Sequence, residues 1–100
     1  MKLRKPIILD DGSQIDELNF AWDALCYADL ASAKRVKALV SQGVNLDVAV
    51  SPKLDTDLRI GIAWVAAMKA DKRLALNDIL KLSLVDSLEL SDNCVDDYLI

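Results

Sequence analysis

The side chains that perform most enzyme chemistry are scarce in this 100-residue sequence. It contains no histidine, which is the commonest general base and the commonest metal ligand. Nucleophilic catalysis needs a serine or cysteine beside an orienting base, but Cys26 has only Asp23 and Asp29 near it in sequence. Carboxylates disfavour the reactive thiolate, so we interpret Cys26 as a core thiol and predict no enzyme activity.

The acidic residues near the start of the chain suggest a calcium site. Four acids lie within Asp10–Glu17, around Gly12. If Gly12 is aligned with the invariant glycine of an EF-hand loop, however, Ile7 and Leu9 occupy the first two ligand positions. The three glycines are scattered, so no phosphate-binding loop is present either. We predict no catalytic residue, no metal ligand and no cofactor.

The charge balance argues against nucleic acid as a partner. The net charge is −4, with a sequence pI near 4.6, whereas phosphate binding requires clustered cations. The one basic cluster is Lys34, Arg35 and Lys37. We predict that it lies in the second half of a helix, where cations interact favourably with the helix dipole.

The sequence predicts a cytoplasmic protein with no membrane association. Met1–Lys5 has the charge of a signal n-region, but the apolar stretch Ile7–Leu9 that follows stops at Asp10, too early for a secretory signal. The longest apolar run, Ile60–Met68, is too short to span a bilayer. Cys26 and Cys94 are far apart, as expected of buried thiols in a reducing compartment.

The first twenty residues predict a β-hairpin. Lys5–Leu9 is short and β-branched, and Asp10–Ser13 has the composition of a turn, in which Gly12 can adopt a positive φ. Gln14–Phe20 then alternates between apolar and polar residues, with a slip at Glu17. Two strands alone are marginal in water, so the hairpin must pack on a helix or on another copy.

The remainder of the chain has helical periodicity. We therefore predict an α+β, mainly α fold: a single domain, residues 1–100, with a hairpin at 1–20 and about four helices in 21–100. A connection is expected at about 43–55. The predicted helices are Tyr27–Gln42, one from Asp55 or Thr56 to Ala70, a short one from Asp78 to Lys81 or Leu82 capped by Asn77, and a last helix capped by Ser83.

The helix ending at Ala70 is apolar on nearly every side over Ile60–Met68. A helix of this kind must be buried all round, and a small chain offers few neighbours. We therefore expect part of its cover to come from another subunit, which predicts a homo-oligomer. Trp64 and Met68 would suit an adaptable groove, but we favour the core for both.

Four stretches in order over nearly the whole chain resemble the tail assembly chaperones of long-tailed bacteriophages. Each is a hairpin or helix-start pattern of low specificity, and the resemblance rests on their order and spacing. This chain has Cys26-Tyr27 where the family often has Thr-Gly, and Ser83 where it has proline. The four stretches are Leu3–Ile7 with Asp11-Gly12, Ile15–Leu25 (IDELNFAWDAL), Ala28–Ala33 (ADLASA) and Asn77–Asp86 (NDILKLSLVD).

The resemblance implies a function without catalysis. Such chaperones bind the long helical tape measure protein and keep it soluble until tail tube subunits polymerise around it. The resemblance therefore implies the tape measure protein as partner, the tail tube protein as a second candidate partner, and self-association.

We expect the protein-binding contacts to come from apolar residues with little local cover, on the hairpin edge and on one side of the last helix. An alternative remains open: a small acidic adaptor or inhibitor that binds a folded host protein through the acidic side of the last helix. That side consists of Asp86, Glu89, Asp92, Asp96 and Asp97. The candidate contact residues are Ile7, Leu9, Leu84, Leu88, Val95, Tyr98 and Leu99.

Overall fold

The chain folds into a β-hairpin followed by helices. The structure is a computed structural model, which describes residues 1–43 and 56–94. The fold is α+β and mainly α, as the sequence predicts. The elements are β1 (Lys2–Ile8), β2 (Gln14–Glu17), a first 3₁₀ helix (Trp22–Ala24), α1 (Asp29–Gly43), α2 (Thr56–Ala70), a second 3₁₀ helix (Leu76–Lys81) and α3 (Leu84–Asp92). Within the described residues, one buried cluster contains residues from the hairpin and from helices α1, α2 and α3.

The two strands are antiparallel, and Ile7 lies opposite Ile15. Gly12 has a φ of 89°, which confirms the positive φ expected in the turn. The turn is closed by the Leu9 N–H, which donates to the Ser13 carbonyl at 2.8 Å. The pairing is irregular between Lys2 and Ile7, so the middle of β1 has backbone groups available for another partner.

The inner side of the hairpin packs against the helices. Ile7 has no exposed surface, and Leu9 is also buried. The expectation that Ile7 and Leu9 have little local cover is therefore wrong: the alternation of the strand directs Ile7 to the core and leaves Ile8 outside.

Helices α1 and α2 approach closely at one point. A β-carbon at position 61 would lie 3.1 Å from the carbonyl carbon of Ala33 and nearer still to the carbonyl oxygen. Gly61 therefore allows the backbones to touch, and Ala33 and Val36 of α1 are buried at this contact.

Helix α2 forms the centre of the molecule. Every residue from Ile60 to Ala67 is buried within this one chain, and Trp64 has no exposed surface. Trp64 is thus a core residue, as favoured from the sequence, and the half-buried Met68 packs against the same core. The expectation that α2 needs cover from another subunit is wrong, because α1, α3 and the first 3₁₀ helix pack against it, and hairpin residues belong to the same buried cluster.

The helix bounds agree with the sequence pattern to within two residues for α1 and α2. The Ser83 hydroxyl caps α3 by accepting from the Asp86 N–H at 3.1 Å, as predicted. Asn77 does not cap the second 3₁₀ helix; the Asp78 carboxylate accepts from the Ala75 N–H at 2.8 Å. The predicted connection lies almost wholly outside the described residues.

We predict that Gly61→Ala destabilises the protein. Helix propensity alone would make this change stabilising by up to about 1 kcal/mol, but the clash with Ala33 reverses the sign, and overpacking costs about 1–3 kcal/mol. Urea unfolding measures the change in unfolding free energy. Ala38→Gly, on the exposed surface of α1, is the control for propensity; a more stable Gly61→Ala variant would contradict the close contact.

Candidate protein-binding surface

The outer side of α3 is apolar. Leu84, Val85 and Leu88 are 56%, 50% and 48% exposed, and the helical period places all three on one side of the helix. We call these three residues the α3 ridge. The opposite side of α3 carries Asp86 and Leu90, which are both fully buried. An aliphatic surface that faces outward while a carboxylate faces inward is the reverse of an ordinary surface helix.

Two further apolar residues that precede the α3 ridge in the chain are exposed, one in the second 3₁₀ helix and one in the hairpin. Leu80 and Ile8 are both more than half exposed. The Lys81 ammonium donates to the Ile8 carbonyl at 3.0 Å and forms an ion pair with Asp78 at 3.0 Å. This lysine therefore joins the second 3₁₀ helix to the end of β1.

The Asp86 carboxylate anchors the first turn of α3 to the hairpin. Its two oxygens accept from the backbone N–H groups of Arg4 at 3.0 Å and Lys5 at 3.2 Å. These donors belong to the irregular part of β1, so the carboxylate takes the place of a partner strand there. At the other end of α3, the Arg59 guanidinium donates to the carbonyls of Ser91 and Cys94, each at 3.2 Å.

Burial raises the pKa of Asp86, but hydrogen bonds from Arg4, Lys5 and Ser83 lower it further than burial raises it. The net result is a pKa below the ordinary value of 3.8. The carboxyl group is therefore ionised at neutral pH, and its charge is stabilised by donors fixed in the backbone.

A second apolar feature is a pocket of about 380 Å³ beside the start of α1. We call it the α1 pocket. Its lining is mainly aliphatic, and the side chain at its edge, Tyr27, is 88% exposed. The lining residues are Leu25, Cys26, Tyr27, Asp29, Leu30, Ala33, Ile62 and Val65.

Asp29 is the charged residue in the lining of the α1 pocket. A hydrogen bond from the Cys26 N–H at 2.8 Å and the Lys69 ammonium at 3.0 Å lower the pKa of its carboxyl group. The prediction that Cys26 is a core thiol is wrong. Cys26 lies in the turn that precedes α1 and is exposed, whereas Cys94 is buried.

The two features have opposite charge around them. Helix α1 carries Asp29 and three cations, a net charge of +2, while α3 carries three acids, a net charge of −3. The cations of α1 lie in the middle of the helix rather than in its last turn, which corrects the predicted dipole role. Lys34 is exposed and lies one turn after Leu30, on the pocket side of α1.

Of the seven contact residues predicted from the sequence, two are exposed, two are buried and three lie outside the described residues. Leu84 and Leu88 lie together and exposed on the α3 ridge, and Ile7 and Leu9 lie in the core. The α1 pocket was not predicted from the sequence; the apolar residues near Tyr27 in the chain are a weak indication of it. Val95, Tyr98 and Leu99 lie outside the described residues.

Two searches of the described part of the chain gave negative results. Within 1–43 and 56–94, no group of three or more cysteine or acidic side chains could hold a metal ion. No helix in these ranges is long and apolar enough to cross a membrane.

We predict that Asp86→Asn lowers the unfolding free energy by about 2 kcal/mol at pH 7, because the amide loses charge-assisted hydrogen bonds from two backbone donors. A depressed pKa in the folded state stabilises the protein above the unfolded pKa. That contribution is lost as the pH falls through the folded value. The gap between wild type and variant, measured by urea unfolding, should therefore close in acid.

Asp92→Asn is the matched control, because Asp92 is exposed on the same helix. It should change the unfolding free energy by no more than about 0.5 kcal/mol. Equal effects of the two variants, or a gap for Asp86→Asn that does not depend on pH, would contradict the anchoring role.

Comparisons of the chain with protein-family models, with curated proteins and with solved structures each returned no match.

Proposed function

We propose that this protein is a tail assembly chaperone of a long-tailed bacteriophage that binds amphipathic helical segments of the tape measure protein in the host cytoplasm. The observation that carries the proposal is the outward α3 ridge, Leu84, Val85 and Leu88. The ordered resemblance over nearly the full chain supplies the identity of the client. No catalytic step is part of the proposal.

The α3 ridge suits a helical client. Side chains at spacings of one and four on a helix form a narrow apolar strip that an amphipathic helix can lie along. Three half-exposed aliphatic residues and Leu80 offer an area on the order of 300 Å². A stable interface buries about 800 Å² per partner, so each contact is weak and releasable. A chaperone that must give up its client to tube subunits requires this property.

The acidic inhibitor has less support. Its binding face would use the acids of the last helix, but the Asp86 carboxylate is buried and faces the backbone donors of β1, away from any partner. Glu89 is half-buried, and Asp92, the exposed acid of α3, lies close to the apolar ridge. Asp96 and Asp97, the other acids of the predicted acidic side, lie outside the described residues.

We predict that the double variant Leu84→Asp, Leu88→Asp fails to keep a helical tape measure fragment soluble on co-expression, whereas the wild type keeps it in the supernatant. Two carboxylates in the strip would be desolvated by the client, and we expect binding to weaken at least about 10-fold. Circular dichroism and urea unfolding establish that the variant is folded, as its exposed positions predict.

Tyr27→Asp is the matched control, because it introduces a carboxylate at an exposed apolar residue outside α3. It should leave client solubility unchanged. Wild-type solubilisation by the folded α3 variant, or equal loss in the control, would refute the α3 ridge as the client site.

A further inference from the structure

The α3 ridge continues into two acids at one end. Asp92 follows Leu88 by four residues, so it lies in line with the ridge, and Glu89 follows Val85 by the same spacing. Asp92 is exposed and Glu89 is half-buried. Within the described part of the chain, no cation forms an ion pair with either carboxylate. A partner that lies along the ridge therefore meets two acids whose charge is not already paired there.

The same two acids lie where they oppose the dipole of their own helix. Glu89 and Asp92 belong to the last turn of α3, which contains no basic residue, and the C-terminal end of a helix is the negative end of its dipole. Carboxylates at this end destabilise the helix, and no ion pair among the described residues offsets that effect. A local conflict of this kind is expected where a binding partner supplies the compensating charge.

The other end of the ridge has the opposite charge. Lys81 lies three residues before Leu84, and its ammonium pairs with the Asp78 carboxylate at 3.0 Å. Arg4 and Lys5 are exposed on β1, and their backbone N–H groups donate to the first turn of α3. The ridge therefore runs from cations near its first turn to acids at its last turn, so the two directions in which a helix could lie along it are not equivalent.

We propose that the client helix bound by the α3 ridge carries a lysine or arginine in line with its apolar side, and that this cation lies over Glu89 and Asp92. The apolar strip supplies the contact area, while the charge selects among amphipathic helices and sets the direction in which the client lies. A client with an acid at the same position is rejected, because like charges would face each other. This inference rests on the proposed function, since it names the chemistry of the segment that the ridge binds.

Two synthetic helical peptides of identical composition test the proposal. Both are alanine-based and carry leucines at spacings of three and four along one side. In the in-line peptide a lysine follows the last leucine by four residues, and in the off-line peptide this lysine is moved by two residues, about 200° round the helix. The net charge of the two peptides is the same, so non-specific attraction to a protein of net charge −4 is also the same. Fluorescence anisotropy measures binding of each labelled peptide from about 10 µM to about 1 mM protein.

A charge exchange on the protein gives the second comparison. The variant is Asp92→Lys, and a third peptide carries glutamate in place of the in-line lysine. The variant keeps its fold, because Asp92 is exposed and a cation suits the last turn of a helix; urea unfolding checks this. Asp23→Lys is the matched control, because it makes the same change of net charge at an exposed acid of the first 3₁₀ helix.

Wild type and Asp23→Lys should bind the in-line peptide at least about 3-fold more tightly than the off-line peptide. This preference should fall as the salt rises from about 50 to about 500 mM, because the charges lie at the edge of the contact. Asp92→Lys should lose the preference, and it should bind the glutamate peptide at least about 3-fold more tightly than wild type does.

Equal binding of the in-line and off-line peptides by wild type would overturn the inference and leave the proposed function standing. An unchanged preference in Asp92→Lys, or an equal loss of preference in Asp23→Lys, would have the same meaning. The variant Leu84→Asp, Leu88→Asp distinguishes the two failures, because it should lose every peptide if the ridge is the site. Wild type that binds no peptide, or a ridge variant that binds as well as wild type, would reject the proposed function and this inference with it.

Discussion

The contact between the Asp86 carboxylate and the backbone of β1 determines how α3 is rotated about its axis. A buried carboxylate without donors costs several kcal/mol, and here the N–H groups of Arg4 and Lys5 satisfy it. The helix must therefore present Asp86 to the hairpin. Because Leu84 and Leu88 lie on the opposite side of the helix, satisfying the charge leaves these leucines outside.

The same contact explains two other features of the fold. The irregular pairing in β1 would leave donors unsatisfied, and Asp86 accepts from them. Arg59 then holds the carbonyls at the far end of α3, so the helix is attached to β1 at one end and to α2 at the other. A short helix attached at both ends can keep an apolar surface exposed without turning it inward, and the proposed client binding needs that rigidity.

Local signals made much of the fold predictable. Gly12 indicated the turn, Ser83 indicated the start of α3, and the apolar period of α1 and α2 gave bounds within two residues of those observed. The rotation of the helices was not predictable, because it depends on contacts distant in sequence. The sequence alone indicates a solvated acid at Asp86, because the backbone donors that it accepts from, Arg4 and Lys5, lie 82 and 81 residues away in the chain. Cys26 was interpreted as a core thiol because the nearby carboxylates disfavour a reactive thiolate, but the sequence does not show which small residues are exposed.

The candidate site was predictable only in part for the same reason. The aliphatic residues of the last helix were identified, but periodicity alone cannot say whether such a strip faces the core or the solvent. The most direct test is attenuation of methyl NMR signals by a soluble paramagnetic probe, measured at a concentration low enough for monomer. The account predicts strong attenuation for Leu84, Val85 and Leu88 and protection for Leu90. Protected Leu84 and Leu88 methyls with an attenuated Leu90 would contradict it.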